Sequence, residues 1–179
     1  QVQTEQLSFD SLAELVPAEL SEHWQLTLDF LEILIQEWPN ILTEEGYLDP
    51  ADRRNKLLEA QTRNWQTSPP PGPVIAAGST GSIPATAQLL NLVAALPDGR
   101  VVLPGLDQTL SDAEINALEE THPQYGMYHL LERMGLSPAA VQLWPSPQEK
   151  LNRHRAAVIN TALRPAVSLG AWRDQKPLP

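Results

Sequence analysis

Residues 74–87 read VIAAGSTGSIPATA: a short apolar run, then Gly78, Ser79, Thr80, Gly81 and Ser82, then an apolar stretch of helical character. These residue types can hold a phosphate. A Gly/Ser/Thr turn between a strand and a helix offers free backbone N–H groups and the positive end of the helix dipole to an anion. The turn lacks the lysine of the nucleotide-binding loop G-x-x-x-x-G-K-[ST], and it does not match the dinucleotide pattern G-x-G-x-x-G. No serine is centred as in the hydrolase elbow G-x-S-x-G. A plainer reading accounts for the same residues: Gly78 and Gly81 permit a tight turn, Ser82 or a neighbour caps the helix, and Pro84 occupies its first turn.

Other residues with chemical potential are scattered. Asp107, at the end of VVLPGLD, follows a predicted strand and has the chemistry for a metal or a ribose hydroxyl. A metal-assisted site needs several converging ligands, and Asp98, Asp112 and Glu114 read more simply as turn and cap residues. His23, His122, His129 and His154 show no H-x-x-x-H or H-E-x-x-H spacing, which argues against a metal centre. His122-Pro123 with Tyr125 and Tyr128 makes an aromatic patch suited to packing or to stacking on a base. Lys150, Arg153, Arg155 and Arg164 form a local positive excess, suited to phosphate contact or to a solvated helix face.

The elements that must carry these residues fall into three stretches. In residues 1–66, Trp24, Leu28, Leu31, Ile35 and Trp38 recur at three- and four-residue steps, the spacing of one helix face, with Pro39 expected to stop or kink that helix. A shorter helix is expected over Phe9 to Leu15. Asp49-Pro50 reads as an N-cap and first-turn proline opening a second helix through Leu57, Leu58 and Trp65, so the natural arrangement is a helical hairpin packed by Trp24, Trp38 and Trp65. TSPPPGP at 67–73 is an extended connector. From 74 to 145 a buried strand (Val74 to Ala77), a helix (Ile83 to Leu96) and a strand (Val101 to Leu103) form a βαβ unit, which implies a parallel sheet. A capping box at Ser111 to Glu114, a helix from Tyr125 to Met134 closed by Gly135, and a turn at Ser137 to Val141 follow. Residues 146–179 give a basic helix from Ser146 to Leu163 and a tail.

The chain has 179 residues, 42% hydrophobic and 19% charged, enough for one domain or two small lobes with a core. Its formal charge of -10 excludes a general nucleic-acid or anionic-membrane clamp, so DNA contact is expected to be local or beside a partner. Asp+Glu outnumber Lys+Arg 13 to 4 in residues 1–66 and 7 to 2 in 67–145, and the balance reverses to 2 to 6 in 146–179. With no cysteine, a disulfide framework, a thiolate zinc site and an iron–sulfur cluster are excluded within these residues. A cytoplasmic protein is expected, with no spanning segment or signal peptide. The first residue, Gln1, suggests a processed protein or an excised fragment, and the ending KPLP would suit a cut in an interdomain loop.

In combination, the strings SEHWQ, LDFLEI, WPNIL, DPADRRNKLLEA, VIAAGSTGSIPATA, VVLPGLD, HPQYGMYHLLERMGL and ALRPA resemble the AddB family of double-strand break repair proteins, of alphaproteobacterial type, over nearly the whole chain from residue 18. The resemblance implies an interior fragment of the helicase-like N-terminal half. The fold would be α/β: a helical lobe, as an insertion, followed by a partial P-loop-NTPase-like parallel core of a degenerate helicase. It implies an AddA-type helicase/nuclease subunit as partner and DNA ends or single-stranded DNA as ligand. The family's iron–sulfur cluster and magnesium would lie outside this segment, which would need no cofactor of its own. In active helicases of this kind an acidic pair follows the comparable strand and positions magnesium, whereas Gly78 to Ser82 contain no carboxylate.

The function expected is therefore a non-catalytic scaffold contributing to a DNA path, with Ser79, Thr80, Ser82, Arg153 and Arg155 as the phosphate-contacting residues. The alternatives are an enzyme that binds a nucleotide or phosphate through GSTGS, and a protein-interaction module built on the acidic helical lobe.

Overall fold

The computed structural model describes Thr4, residues 21–144 and residues 149–168. The helix expected over Phe9 to Leu15 and the first residues of the expected C-terminal helix, 146–148, lie outside that set. Among the described residues the elements run α1 (Ser21–Glu44), α2 (Pro50–Thr67), β1 (Val74–Ala77), α3 (Pro84–Ala95), β2 (Gly99–Val102), α4 (Asp112–Asn116), α5 (Tyr125–Arg133) and α6 (Glu149–Ala162), with 3-10 turns at Pro138–Ala140 and Ala166–Ser168. The class is a mixed α/β one with a small parallel sheet. None of the described helices is long and apolar enough to cross a membrane.

Chain contacts divide these elements into two units. The first contains α1, α2 and Ile83–Leu92; the second contains Gly72–Ser82 and the chain from Val93 onward.

In the first unit, α1 does not stop at Pro39 but continues to Glu44. The proline removes one N–H from the ladder near the helix's end, and the Thr43 hydroxyl donates to the Pro39 carbonyl at 2.8 Å. Gly46, at φ +70, closes α1: its N–H donates to the Thr43 carbonyl and that of Tyr47 to the Leu42 carbonyl, the paired bonds of a Schellman cap. Asp49 then caps α2, its carboxylate accepting from the Ala51 N–H at 2.8 Å with Pro50 in the first turn, as the sequence predicts. The tryptophan packing expected here needs correction at Trp38, which is 45% exposed, as are Phe30, Ile33 and Ile41 on the same helix to similar or greater degree; Trp65 is half-buried and the Trp24 side chain lies outside the described set. Among the described residues, the unit's buried side chains are small or polar: Asn55, Thr62, Ala85 and Ala87, with Leu90.

In the second unit, β1 and β2 pair in parallel, with Val74 opposite Gly99 and Ala77 opposite Val102. The second strand starts two residues earlier than its Val/Leu content predicts, because Gly99 can lie close under the end of α3. A Cβ there would stand 1.8 Å from the Val93 carbonyl oxygen. The buried strand expected at Val74 to Ala77 is only half covered: the pattern alternates, and Ile75 is 62% exposed. The hydrophobic core of this unit is formed by Val93 with Met127, Leu130 and Leu131 of α5, and Tyr128 joins it through its ring.

Candidate functional site

The turn after β1 has the shape its glycines permit. Gly78 and Gly81 take left-handed φ values of +81 and +67. The Gly78 N–H extends the ladder by donating to the Val102 carbonyl, and the Ser79 hydroxyl accepts from the Gly81 N–H at 3.3 Å. Of the cap expected from Ser82 or a neighbour, Ser82 itself supplies no capping bond. Ile83 precedes α3 and its carbonyl accepts the first helical bond, from Ala87, while Ser82 remains exposed. Its hydroxyl lies 3.5 Å from that of Thr80.

Those two hydroxyls open onto a cleft of about 300 Å³ facing α5, lined also by Glu120, His122, Tyr125, Gly126, His129 and Arg133. Gly126 is what lets the loop approach: a Cβ there would lie 3.3 Å from the Ser82 Cβ and 3.5 Å from the Thr80 carbonyl oxygen. Gly81 is similarly tight against Leu130, at 2.8 Å for an added Cβ. On the cleft side of α5, Tyr125, His129 and Arg133 follow one another at four-residue steps, which aligns them along one helical row. The Tyr125 and His129 rings stack with centroids 4.8 Å apart and planes 30° apart. His129 Nδ1 lies 3.2 Å from the Glu132 carboxylate. Arg133 is exposed and has no hydrogen bond or ion pair among the described residues.

The opposite side of α5 explains why this row is held in place. Tyr128, buried, donates its hydroxyl hydrogen to the Asp107 carbonyl. Gln124 accepts from the Asp107 N–H at 2.9 Å and donates to the Gly105 carbonyl at 3.0 Å. Asp107 is not turned toward a ligand: its Oδ1 accepts from the Thr109 N–H and hydroxyl, at 2.9 and 2.7 Å. Burial raises the Tyr128 phenol to about 12, with the Asp107 and Glu114 charges adding to the effect. His122 Nδ1 accepts from the Gln124 N–H, which leaves the other ring nitrogen to donate to the Leu163 carbonyl.

Below this, Ser111 and Glu114 form the capping box that the sequence predicts. Glu114 is buried, and its acidity increases to a pKa of about 2. The Ser111 N–H is the largest cause, the Ser111 and Ser168 hydroxyls contribute, and Arg164, 3.1 Å away, adds its charge. The arginine belongs to the basic stretch, but its partner is internal.

The structure therefore separates the residues expected to contact phosphate. Ser79 is engaged with its own turn, and Thr80 and Ser82 share the cleft. Arg155 is exposed on α6 and does not line it, and the Arg153 side chain is outside the described set. Arg133 and His129 stand there instead. Their signal in the sequence was the row Tyr125, His129, Arg133, which becomes informative only once the glycines at 81 and 126 bring loop and helix together. Among the described residues no group of three or more His, Asp or Glu converges in a way that fits a metal ion. Compared with protein-family models, curated proteins and solved structures, the chain matches none.

Proposed function

We propose that this chain is a non-catalytic, helicase-like scaffold segment of an AddB-type subunit, acting with an AddA-type helicase/nuclease in double-strand break repair and lending part of its surface to the DNA path. One observation carries the reading: a β-strand leads through a glycine-shaped hydroxyl turn toward a helix, in a parallel β-α-β order, yet the turn offers neither lysine nor carboxylate. Such a turn has residue types that can hold a phosphate but lacks the groups that neutralise a triphosphate or position magnesium. The P-loop-type ancestry of the core belongs to this proposal. So does the assignment of the iron–sulfur cluster, since no cysteine here fits one.

The test is binding of the 179-residue chain to single-stranded oligonucleotides and to ATP-Mg²⁺, together with capture of an AddA-type subunit. Salt-sensitive strand binding or AddA capture, without ATP hydrolysis, is the expected result. ATP turnover by this chain would overturn the proposal. A protein-interaction role of the helical unit has its own support in the exposed Phe30, Ile33, Trp38 and Ile41 of α1. Loss of AddA capture on substituting these residues, with strand binding kept, would assign that contact to α1.

A further inference from the structure

The Tyr125–His129 pair lines a second cleft as well as the first. This neighbour has a volume of about 480 Å³ and is walled on its other sides mainly by apolar side chains, among them Ile115, Leu118, Leu131 and Leu136. The stacked pair lines both clefts: one carries the Thr80 and Ser82 hydroxyls and the Arg133 guanidinium, which has no partner among the described residues, and the other carries Ile and Leu side chains together with Asn116 and Glu132. The two compartments share a wall.

We infer that the two clefts together take one nucleotide unit of a single strand, its phosphodiester beside Thr80, Ser82 and Arg133 and its base in the second cleft against Tyr125 and His129. The inference rests on the DNA-path reading for the source of the strand; it keeps Thr80, Ser82 and Tyr125 from the sequence expectation and adds His129 and Arg133. Hydroxyls and a guanidinium are the donor set for phosphate oxygens, and Arg133 has no partner among the described residues to give up. An aromatic face next to apolar side chains suits a base of any sequence.

The charges present limit the anion. Glu120, exposed, lines the first cleft, and Glu132 lines the second beside His129. Against these, Arg133 is the one unshared guanidinium among the described residues of the two clefts, and His122 is committed to Gln124 and Leu163. With carboxylates in excess, each further negative charge on a ligand adds repulsion, which favours a singly charged phosphodiester over a di- or triphosphate. Because a single phosphate is neutralised, the salt dependence must be shallow: a log–log slope of about −0.7 for a single strand, far from the steep slope of a basic clamp.

The experiment titrates the 179-residue chain with the dinucleotide TpT, with an oligothymidylate, with the same oligomer carrying abasic positions, and with ATP. Backbone and ring NMR signals report the place, and fluorescence anisotropy reports the affinity. Expected are shifts at Ser82, His129 and Arg133 with TpT, and strand affinity lowered about tenfold both by Arg133→Gln and by the abasic oligomer. Arg133→Lys should restore part of the loss, and unchanged melting curves for these exposed-site variants exclude misfolding. Strand binding that ignores Arg133→Gln removes the cleft and leaves the DNA-path reading standing. TpT shifts in the cleft without strand binding keep the cleft and remove that reading. Silence in both overturns both, and ATP binding tighter than TpT overturns the single-phosphate assignment.

Discussion

Replacing Glu114 by glutamine keeps the length and shape of a buried side chain while removing its charge. In the folded chain this carboxyl titrates at about 2 against an ordinary 4.5, because the Ser111 N–H, two serine hydroxyls and Arg164 all favour the ionised form over the cost of burial. At about 1.4 kcal/mol for each tenfold change in acidity, the carboxylate contributes on the order of 3 kcal/mol at neutral pH. The folded pKa is depressed, so this stability is complete above 4.5 and is lost as pH falls through about 2. Glutamine retains an acceptor for the Ser111 N–H but leaves the half-buried Arg164 beside a neutral amide. For a chain of this size the loss corresponds to a melting point lower by about 6–12 °C at pH 7. Thermal melts of both proteins from pH 7 to pH 3 provide the assay. The gap must narrow as the pH drops below 5, since groups common to both chains cancel in the difference. A variant that melts within a degree or two of the parent at pH 7, or a gap that stays constant to pH 3, would refute the assignment of Glu114 as the anchor of α4 and the Arg164 segment.

Other outcomes follow from single contacts. Gly99→Ala drives a Cβ into the Val93 carbonyl and should cost more than about 4 kcal/mol in urea unfolding, whereas Gly78→Ala, with open space but a φ of +81, should cost about 1–2 kcal/mol. Tyr128→Phe leaves the Asp107 carbonyl short of a donor and should cost about 1–2 kcal/mol; in the parent, tyrosinate absorbance should show one phenol resisting ionisation until about pH 12. The stabilisation tied to that phenol is complete below pH 10 and is lost as pH rises through about 12, so the parent should weaken relative to Tyr128→Phe in strong alkali. Asp49→Ala removes the α2 cap and should lower stability by about 1 kcal/mol in the same denaturant assay.

The parts of this fold that were legible in the sequence are those set by local chemistry. Asp49-Pro50, Ser111 with Glu114, and Gly135 each announce a helix end, because caps act over three or four residues and need nothing from elsewhere. Gly135 closes α5 with the same paired bonds seen at Gly46, its N–H to Glu132 and that of Leu136 to Leu131. What depends on distant packing was less legible. Pro39 reads as a stop or a kink because its ring and missing N–H disfavour helix, and α1 continues past it, which overturns the stop. Trp38 reads as core by its spacing, although spacing fixes which residues share a face and not whether that face is covered. In the candidate site, the hydroxyl turn and the His122–Tyr125 aromatics were each visible in the sequence, while their meeting, and the place of His129 and Arg133 beside them, was not. Arg133 and His129 lie about fifty residues from Ser82, and the sequence gives no local sign that Gly126 faces that loop.

The pairing of Val74 with Gly99 also constrains the order in which the chain can fold. A parallel pair cannot grow from a tight turn, so twenty-five residues must close a loop before the first ladder bond forms, and α3 occupies twelve of them. Four-residue strands return few bonds for that closure. A helix formed first shortens that loop, so the sheet is expected to form after α3. Refolding rate is then expected to respond to helix-propensity changes at positions such as the exposed Gln88 more than to changes in the strand residues, which stopped-flow refolding of such variants would measure.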